Sequence, residues 1–300
     1  MASRLRQKLD FGLLYLLYGL ARPLPLPWLR AFGRGLGSFV WHFVGYRRTV
    51  VLDNLNHAFG QEKSPAEIKE LGRSFYRNLG MTLMEFLAFP GISGQDLLEM
   101  VEFEGEEYLQ ELKDLGRGGL FVSGHFGNWE LFAARVSSQD VPVSFIVKAQ
   151  SNAAVDRVQN EIRLRAGIGI IRAGAGIKQM VRVLRNKELV GMLADQDAGK
   201  DGIFIDFLGR PASVFRGPAY FAWKLDIPML PAFIFRRPDG NHVGRFLPLV
   251  HPDPNWTEEE AVANLTRIHV KSLEAAIREA PDQYLWTHRR WKTKPPEDGN

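Results

Sequence analysis

The sequence predicts an α/β fold in which a mixed central sheet is flanked by helices, preceded by a helical N-terminal region. From residue 118 onward, short apolar runs alternate with amphipathic stretches, a pattern typical of β-α-β units. Before that point the apolar positions follow helical spacing, as Leu71, Phe75, Leu79 and Leu83 do. The first fifty residues are apolar and basic, which sets them apart from the rest. We expect this region to associate with a membrane.

The composition supports a globular chain without thiol chemistry. Of the 300 residues, 45% are apolar and 24% are charged, which suffices for a packed core. The absence of cysteine excludes thiol nucleophiles, disulfides and thiolate metal sites.

Charge in the N-terminal segment is strongly one-sided. Asp10 is the only acid before residue 51. The basic residues there are Arg4, Arg6, Lys8, Arg22, Arg30, Arg34, Arg47 and Arg48. An anionic lipid surface attracts such a segment, each nearby Lys or Arg contributing roughly 1 kcal/mol. Nucleic acid, or a solvated face without a partner, would explain the charge as well.

Two apolar stretches in this segment favour the membrane. The run 11–21 is shorter than the about 20 residues that a spanning helix needs, and no A-x-A cleavage pattern follows it, which disfavours a signal peptide. Its tyrosines and the nearby Trp28 suit a helix lying in the interface. The stretch 36–46 could form the second arm of a helical hairpin. Packing of both helices on a soluble core is the alternative.

The remaining elements follow in order. Ser64-Pro65 resembles a helix cap, Pro90-Gly91 closes that helix, and 93–115 is expected to hold a short strand, MVEFEG, and a short helix. Strands are predicted at 119–123, 143–148, 169–172, 189–194, 229–236 and 242–247. Helices are predicted at 128–137, 153–166, 177–185, 217–224 and 257–280. We divide the chain into a membrane-associating helical segment (1–46), a helical subdomain (47–117) and an α/β core (118–300).

The stretch SGHFGNWE carries the most chemical information. An apolar strand enters a turn that contains His125, and a helix is expected to begin near Asn128. His125 and Glu130 would point apart on one continuous helix, at about 100° per residue. They can meet if His125 lies in the turn and Glu130 in the first helical turn, a geometry that Gly124 and Gly127 allow.

A carboxylate bonded to one imidazole nitrogen fixes the tautomer, so that the other nitrogen can accept a proton from a hydroxyl. The sequence therefore predicts a His125–Glu130 pair acting as general base. A histidine that only caps a helix or bonds a local carbonyl is the structural alternative.

The pattern H-x-x-x-x-E after an apolar strand resembles the signature of glycerolipid and lysophospholipid acyltransferases. The longer form HFGNWE is similar to the late (lauroyl/myristoyl) acyltransferases of bacterial lipid A synthesis. Further segments match that family in order and cover nearly the whole chain. They are RR at 47–48 with NLNHAF at 54–59 and Glu85 in the helix that follows, ADQDAG at 194–199, FLGRPA at 207–212, IPMLP at 227–231 and YLWTHRRW at 284–291.

The resemblance implies a direct attack by an acceptor hydroxyl on an acyl thioester, preferably one carried by acyl carrier protein, with coenzyme A as the alternative donor. The acceptor would be a lipid A precursor or similar glycolipid, or else a lysophospholipid. The protein would work at the cytoplasmic face of the bacterial inner membrane, as a monotopic protein or through a short N-terminal anchor. No cofactor, metal or nucleic acid is expected.

Five further side chains are predicted to bind substrate. Arg163 and Arg165 resemble a basic pair of the family that could hold a phosphate or a developing oxyanion. Asp195 and Asp197 end a strand, where they could orient the site or bond a sugar. Arg216 could meet a phosphate. For the arginines, a solvated helix face or helix start is the alternative.

Other classes of protein are less favoured by the residues. A serine hydrolase lacks its G-x-S-x-G elbow. A metallohydrolase using His125, Asp195, Asp197 and His251 is formally possible, but compact metal-binding spacings are absent. A non-catalytic membrane lipid-binding protein remains the alternative from a different class.

Overall fold

The computed structural model describes residues 2–174 and 177–296, with the side chains of residues 2–6 and 10 left out. The side chains of Arg4, Arg6 and Asp10, which enter the predicted charge asymmetry, therefore lie outside the described residues. Met1, at the start of the predicted segment 1–46, and residues 297–300, at the end of the predicted core 118–300, also lie outside the described residues.

The N-terminal third is helical, as predicted. Its elements are α1 (Ala2–Ala21), α2 (Leu26–Phe39), a π-helical segment (Val40–Val44), α3 (Arg48–Phe59), α4 (Pro65–Ala88), a 3₁₀ turn (Phe89–Gly91) and α5 (Gly94–Met100). Ser64 caps α4 in a reciprocal capping box with Glu67, which confirms the predicted start. Helix α2 packs tightly on α4, because a Cβ at Gly37 would lie 1.9 Å from the carbonyl oxygen of Tyr76.

These N-terminal helices bury one side and expose apolar groups on the other. Leu17, Ala21 and Leu29 are buried, whereas Trp28 is 70% exposed and Phe43 is 79% exposed. Most of the exposed large apolar side chains in the described part of the chain lie between residues 7 and 46. None of the helices in the described ranges combines the length and apolarity needed to span a bilayer.

The rest of the chain forms the predicted α/β arrangement. Its elements are β1 (Val101–Glu104), α6 (Glu106–Asp114), β2 (Gly119–Ser123), α7 (Trp129–Ser137), β3 (Val143–Val147), α8 (Ala153–Arg165), β4 (Gly169–Arg172), α9 (Ile177–Arg185), β5 (Leu189–Leu193), β6 (Ile203–Phe207), β7 (Arg210–Val214), α10 (Gly217–Leu225), β8 (Met229–Arg236), β9 (His242–Phe246) and α11 (Glu258–Glu279). Every predicted strand and helix from residue 119 onward is found, with ends shifted by at most one residue.

Seven strands form one sheet in the order β1-β9-β8-β2-β5-β3-β4. The β8–β9 pair is antiparallel and the other neighbours are parallel, so the central sheet is mixed, as predicted. Strand β1 belongs to this sheet although it lies before the predicted boundary at residues 117 and 118. The division into three parts stays a prediction.

The β6–β7 hairpin was not predicted. Its strands pair antiparallel around a turn in which Leu208 and Gly209 both have positive φ, 52° and 80°. Asn-Gly or Asp-Gly is the usual signal for such a turn, and leucine is rare in this conformation. Leu208-Gly209 therefore does not match the usual sequence signal of a hairpin turn.

The two faces of the sheet pack against different helices. Successive side chains of a strand point to opposite faces, so Phe121 of β2 lies on one side and its neighbours Leu120 and Val122 on the other. Phe121 shares a core with α7, α8 and the N-terminal helices, including Leu131, Ile162, Leu17 and Leu29. Leu120 and Val122 share a separate core with α9, α10 and α11, including Met180, Leu184, Ala222 and Leu265.

Candidate active site

His125 and Asp195 meet at the carboxyl edge of the sheet. Strands β2 and β5 are parallel neighbours with Ser123 opposite Leu193. His125 and Asp195 each lie two residues beyond these partners, so the register brings them face to face. Nδ1 of His125 lies 2.7 Å from Oδ1 of Asp195. This edge is where open α/β sheets place ligand-binding groups.

The partner of His125 differs from the one predicted. Glu130 lies in the first turn of α7, where Arg163 of α8 binds it through Nη2 at 2.6 Å and through Nε at 3.0 Å to each carboxylate oxygen. The predicted hydrogen bond between His125 and Glu130 is therefore not formed, and Asp195 takes that place. The reason is direction, because α7 turns the Glu130 side chain towards α8 while the strand register presents Asp195 to the imidazole.

The turn that carries His125 is fixed by its backbone. Gly127 has a φ of +60°, and a Cβ there would lie 1.9 Å from the carbonyl oxygen of Ile234, so the position requires glycine. Its N–H donates to the Gln283 carbonyl at 2.8 Å, and the His125 carbonyl accepts from the Leu285 N–H at 2.9 Å. The C-terminal segment thus holds both sides of the turn.

Asn128 caps α7, as predicted, because its Oδ1 accepts from the Leu131 N–H at 3.1 Å. Trp129 follows and was not assigned a role from the sequence. Its ring stands edge-on to the His125 imidazole, with centroids 5.0 Å apart. The position of Trp129 within HFGNWE was the signal that could have marked it.

The electrostatics of the pair favour a proton-accepting imidazole. The carboxylate of Asp195 can only accept, so Nδ1 of neutral His125 carries the proton and Nε2 has a free lone pair. Burial by itself lowers the pKa of His125, but the charge and hydrogen bond of Asp195 outweigh it and raise that pKa. Burial by itself raises the pKa of Asp195, yet the same pairing lowers it to about 2. The pairing with Asp195 would therefore stabilise an imidazolium formed by proton uptake at His125.

The other predicted binding residues lie in different surroundings. Asp197 accepts from the Thr293 N–H at 3.1 Å and hydroxyl at 2.9 Å, and its own N–H donates to Nε2 of His288 at 3.0 Å. Arg165 and Arg216 have half-exposed side chains, and they pair with Glu161 at 2.6 Å and Glu258 at 3.4 Å. Asp195 therefore contacts His125, and Glu130 and Arg163 lie near enough to influence the pKa of His125, whereas Arg165 and Arg216 are engaged in surface ion pairs.

Comparison of the sequence with known protein families identifies a match over nearly the whole chain. The family model described as bacterial lipid A biosynthesis acyltransferase matches residues 4–293. The chain belongs to this family. It is therefore an acyl-transferring enzyme, which sets aside the hydrolase and non-catalytic alternatives.

Relatives among characterised proteins agree with the assignment to this acyltransferase family. The lipid A biosynthesis lauroyltransferase of Escherichia coli K12 is 28% identical over 96% of this chain and 91% of its own length. The lipid A biosynthesis palmitoleoyltransferase of the same organism is 28% identical over 91% of this chain and 87% of its own. A phosphatidylinositol mannoside acyltransferase of Mycolicibacterium smegmatis is 21% identical over 59% of this chain and 60% of its own.

Among solved structures, the 1-acyl-sn-glycerophosphate acyltransferase PlsC from Thermotoga maritima is similar with a TM-score of 0.40 and 14% identity. The likeness covers 85% of this chain and 99% of that one.

Within residues 2–174 and 177–296, no group of three or more histidine or acidic side chains is arranged to hold a metal ion. His251, which a metallohydrolase could have used as a metal ligand, is exposed.

A buried ion cluster around Glu85 lies next to the turn that carries His125, and this cluster was not predicted from the sequence. The carboxylate of Glu85 is fully buried on α4 and accepts from Arg30 of α2 and from Arg236 of β8, each at 2.7 Å. It also accepts from Nδ2 of Asn128 at 2.8 Å, the residue that caps α7. Glu85 therefore connects two N-terminal helices to the turn that presents His125.

We expect Glu85→Gln to destabilise the acyltransferase by about 3–5 kcal/mol, because Arg30 and Arg236 would be left as buried charges without a counter-charge. Burial by itself raises the pKa of Glu85, but Arg236, His242 and Arg30 outweigh it and hold that pKa well below its usual range. The stabilisation is therefore complete above the ordinary glutamate pKa and is lost as the pH falls through the depressed one.

Denaturant unfolding at neutral pH measures this effect. Glu70→Gln on the same helix is the matched control, since Glu70 forms an exposed ion pair with Arg73 and should change stability by less than about 1 kcal/mol. Equal stabilities of the two variants would show that the buried cluster contributes no more than a surface pair.

Proposed function

We propose that the protein transfers a fatty acyl chain from a thioester on acyl carrier protein to a hydroxyl of a lipid A precursor or similar glycolipid. The observation that carries the proposal is the His125–Asp195 pair, whose imidazole is 21% exposed at the carboxyl edge of the sheet. Relatives named for lipid A and for phosphatidylinositol mannoside support an acceptor that carries sugars.

The proposed reaction is one direct displacement. Nε2 of His125 removes the proton of the acceptor hydroxyl while that oxygen attacks the thioester carbonyl. The tetrahedral intermediate collapses with cleavage of the carbon–sulfur bond, and the thiolate leaves with the proton from the imidazolium. Asp195 holds the ring and stabilises its positive charge. One ester forms, one thioester breaks, and the base returns to its neutral state.

Glu130 and Arg163 take a supporting place in this proposal. Arg163 lies close enough to His125 to lower its pKa, while Glu130 raises it. In this proposal the arginine supplies positive charge beside His125 for the oxyanion, and its bidentate bond to Glu130 fixes its position.

Direct attack is favoured over an acyl-enzyme because the nearest serine in the turn is unsuited as a nucleophile. Ser123 is the last residue of β2 and is only 2% exposed. We therefore expect ternary-complex kinetics, in which donor and acceptor are both bound before acyl transfer.

The test uses the purified protein, a lauroyl thioester of acyl carrier protein and a lipid A precursor in mixed micelles. Mass spectrometry should show a product heavier by one acyl chain, and initial rates at varied concentrations of both substrates should give intersecting double-reciprocal lines. Parallel lines, or an acyl adduct on the intact protein, would contradict direct attack. A sugar-free lysophospholipid acylated in preference to the glycolipid would contradict the proposed acceptor.

The proposal places the enzyme at the inner membrane through its N-terminal helices. Their exposed aromatic side chains are the support, because aromatic rings favour the interface between water and lipid. Trp28→Asp combined with Phe43→Asp should at least halve the fraction that sediments with anionic vesicles in high salt, where charge attraction is screened. Both side chains are exposed, so the fold should be retained.

Leu98→Asp combined with Leu115→Asp is the matched control. These two leucines are 46% and 41% exposed and lie outside residues 7–46, which hold most of the exposed large apolar side chains of the described chain. If both double variants sediment like the unchanged protein, the N-terminal helices do not provide the apolar attachment.

A further inference from the structure

Helix α9 carries a stripe of basic side chains that the proposed chemistry does not use. Lys178, Arg182 and Arg185 are exposed and follow one another at spacings of four and three residues, which places them on one face of the helix. The opposite face, with Met180, Val183 and Leu184, is buried. We call the three basic residues the α9 stripe.

Local energetics do not explain the α9 stripe. The helix IKQMVRVLR contains no acid, and none of the three cations forms an ion pair with a carboxylate of the described residues. Neighbouring arginines do so, as Arg165 does with Glu161 and Arg172 with Asp156. The helix dipole favours cations at the end of α9 but disfavours Lys178 in its first turn.

The α9 stripe begins near the active edge of the sheet. α9 follows β4, so its first turn lies towards the carboxyl ends of the strands, where β2 and β5 present His125 and Asp195. β4 is three strand positions from β2, a separation of about 14 Å at roughly 4.8 Å per strand. Lys178 is nearest this edge, and Arg185 lies about 10 Å further along the helix.

The stripe lies on the side of the sheet opposite the N-terminal helices. Met180 and Leu184 of α9 pack with Leu120 and Val122, whereas Leu17 of α1 and Leu29 of α2 pack with Phe121 on the other face. A bilayer bound by the exposed groups of α1 and α2 would therefore contact the helices on the face of the sheet opposite α9. This arrangement favours a soluble acidic partner for the stripe over a lipid surface.

We propose that the α9 stripe is the docking surface for the acidic carrier protein that delivers the acyl thioester. This inference rests on the proposed function. Ile177, which is 62% exposed beside Lys178, adds an apolar contact to the charged ones. The flexible prosthetic arm of a carrier seated there would bring the thioester along the sheet edge to His125, while the acceptor arrives from the bilayer side.

The experiment compares two donors for one variant. K178E/R182E should raise the KM for lauroyl-acyl carrier protein by about tenfold or more, since charge reversal weakens electrostatic docking. Its kcat, and its rate with lauroyl-pantetheine, which lacks the protein, should stay within about twofold of the unchanged enzyme. Added salt should raise the KM of the unchanged enzyme but leave that of the variant nearly constant.

The matched control is R267E/K271E on α11. Arg267 and Lys271 are also exposed and four residues apart, but Glu274 follows them on the same face. We expect this control to leave the KM for the carrier-bound donor within about twofold. Circular dichroism of both variants checks that the helices are intact.

Three results would overturn the inference. A KM for lauroyl-acyl carrier protein that K178E/R182E leaves unchanged would exclude docking at α9. Equal losses with both donors would assign the stripe to the site itself, and loss of binding to anionic vesicles with an unchanged KM would assign it to the membrane. Failure of the proposed function would give a distinct result, because the unchanged enzyme would then not acylate the glycolipid with either donor.

Discussion

Replacing His125 with alanine is expected to lower the turnover number by a factor of about 10² to 10⁴, the usual cost of losing a general base. The side chain supplies the nitrogen that accepts the hydroxyl proton, and its partner Asp195 has no other route to that proton. The fold should be retained, because the turn is held by main-chain bonds from Gln283 and Leu285 that the substitution leaves in place. Initial rates of glycolipid acylation measure the loss, and circular dichroism checks the fold.

His251→Ala is the control for this prediction, since its side chain is exposed and enters no part of the proposed mechanism. It should retain the rate of the unchanged enzyme within about twofold. Near-normal turnover by folded His125→Ala would remove the imidazole from the mechanism and leave only positioning of the two substrates as the source of catalysis.

Local patterns predicted the strands of the main sheet from residue 119 onward and the position of the turn that carries His125, but not the β6–β7 hairpin. The run Gly119–Ser123 is fully buried and entirely apolar except at its last residue, as expected for a central strand covered on both faces. The glycines around His125 and the capping asparagine that follows predicted a strand, a turn and a helix in that order. These features depend on residues close together in the sequence, so the sequence alone predicted them.

The partner of His125 could not be predicted in this way. Asp195 is 70 residues away, and it meets the imidazole only because β5 lies beside β2 in the sheet. Strand order depends on how the crossovers pack, which periodicity does not encode. Proximity in the sequence favoured Glu130 instead, although the direction of α7 brings that carboxylate to Arg163 of the following helix.

The buried cluster around Glu85 could not be predicted from local sequence patterns either. Glu85 is fully buried on α4, and its partners come from residues 30, 128 and 236. A carboxylate at such a position is costly unless cations accompany it. The sequence contains many arginines but does not show which of them converge.

Asp195→Asn should lower turnover by a factor on the order of 10² to 10⁴, because an amide can donate to Nδ1 and so favour the wrong imidazole tautomer. It should also move the pH profile. Activity is lost as the pH falls through the pKa of His125, since the protonated ring cannot accept a proton. Asp195 holds that pKa above its ordinary value against the effect of burial. Without the carboxylate the pKa falls, and the acid limb of kcat/KM moves to lower pH.

Glu130→Gln provides the comparison that separates the two carboxylates. In the unchanged enzyme the charge of Glu130 also raises the pKa of His125, but Glu130 forms no hydrogen bond with the imidazole and has less effect than Asp195. The acid limb should therefore move less than in Asp195→Asn, although turnover still falls because Arg163 loses its charged partner. Profiles of kcat/KM against pH for both variants and the unchanged enzyme decide the matter. A larger displacement in Glu130→Gln would make Glu130 the carboxylate that governs His125 in the working enzyme, because the displaced limb reports the charge that the imidazole senses.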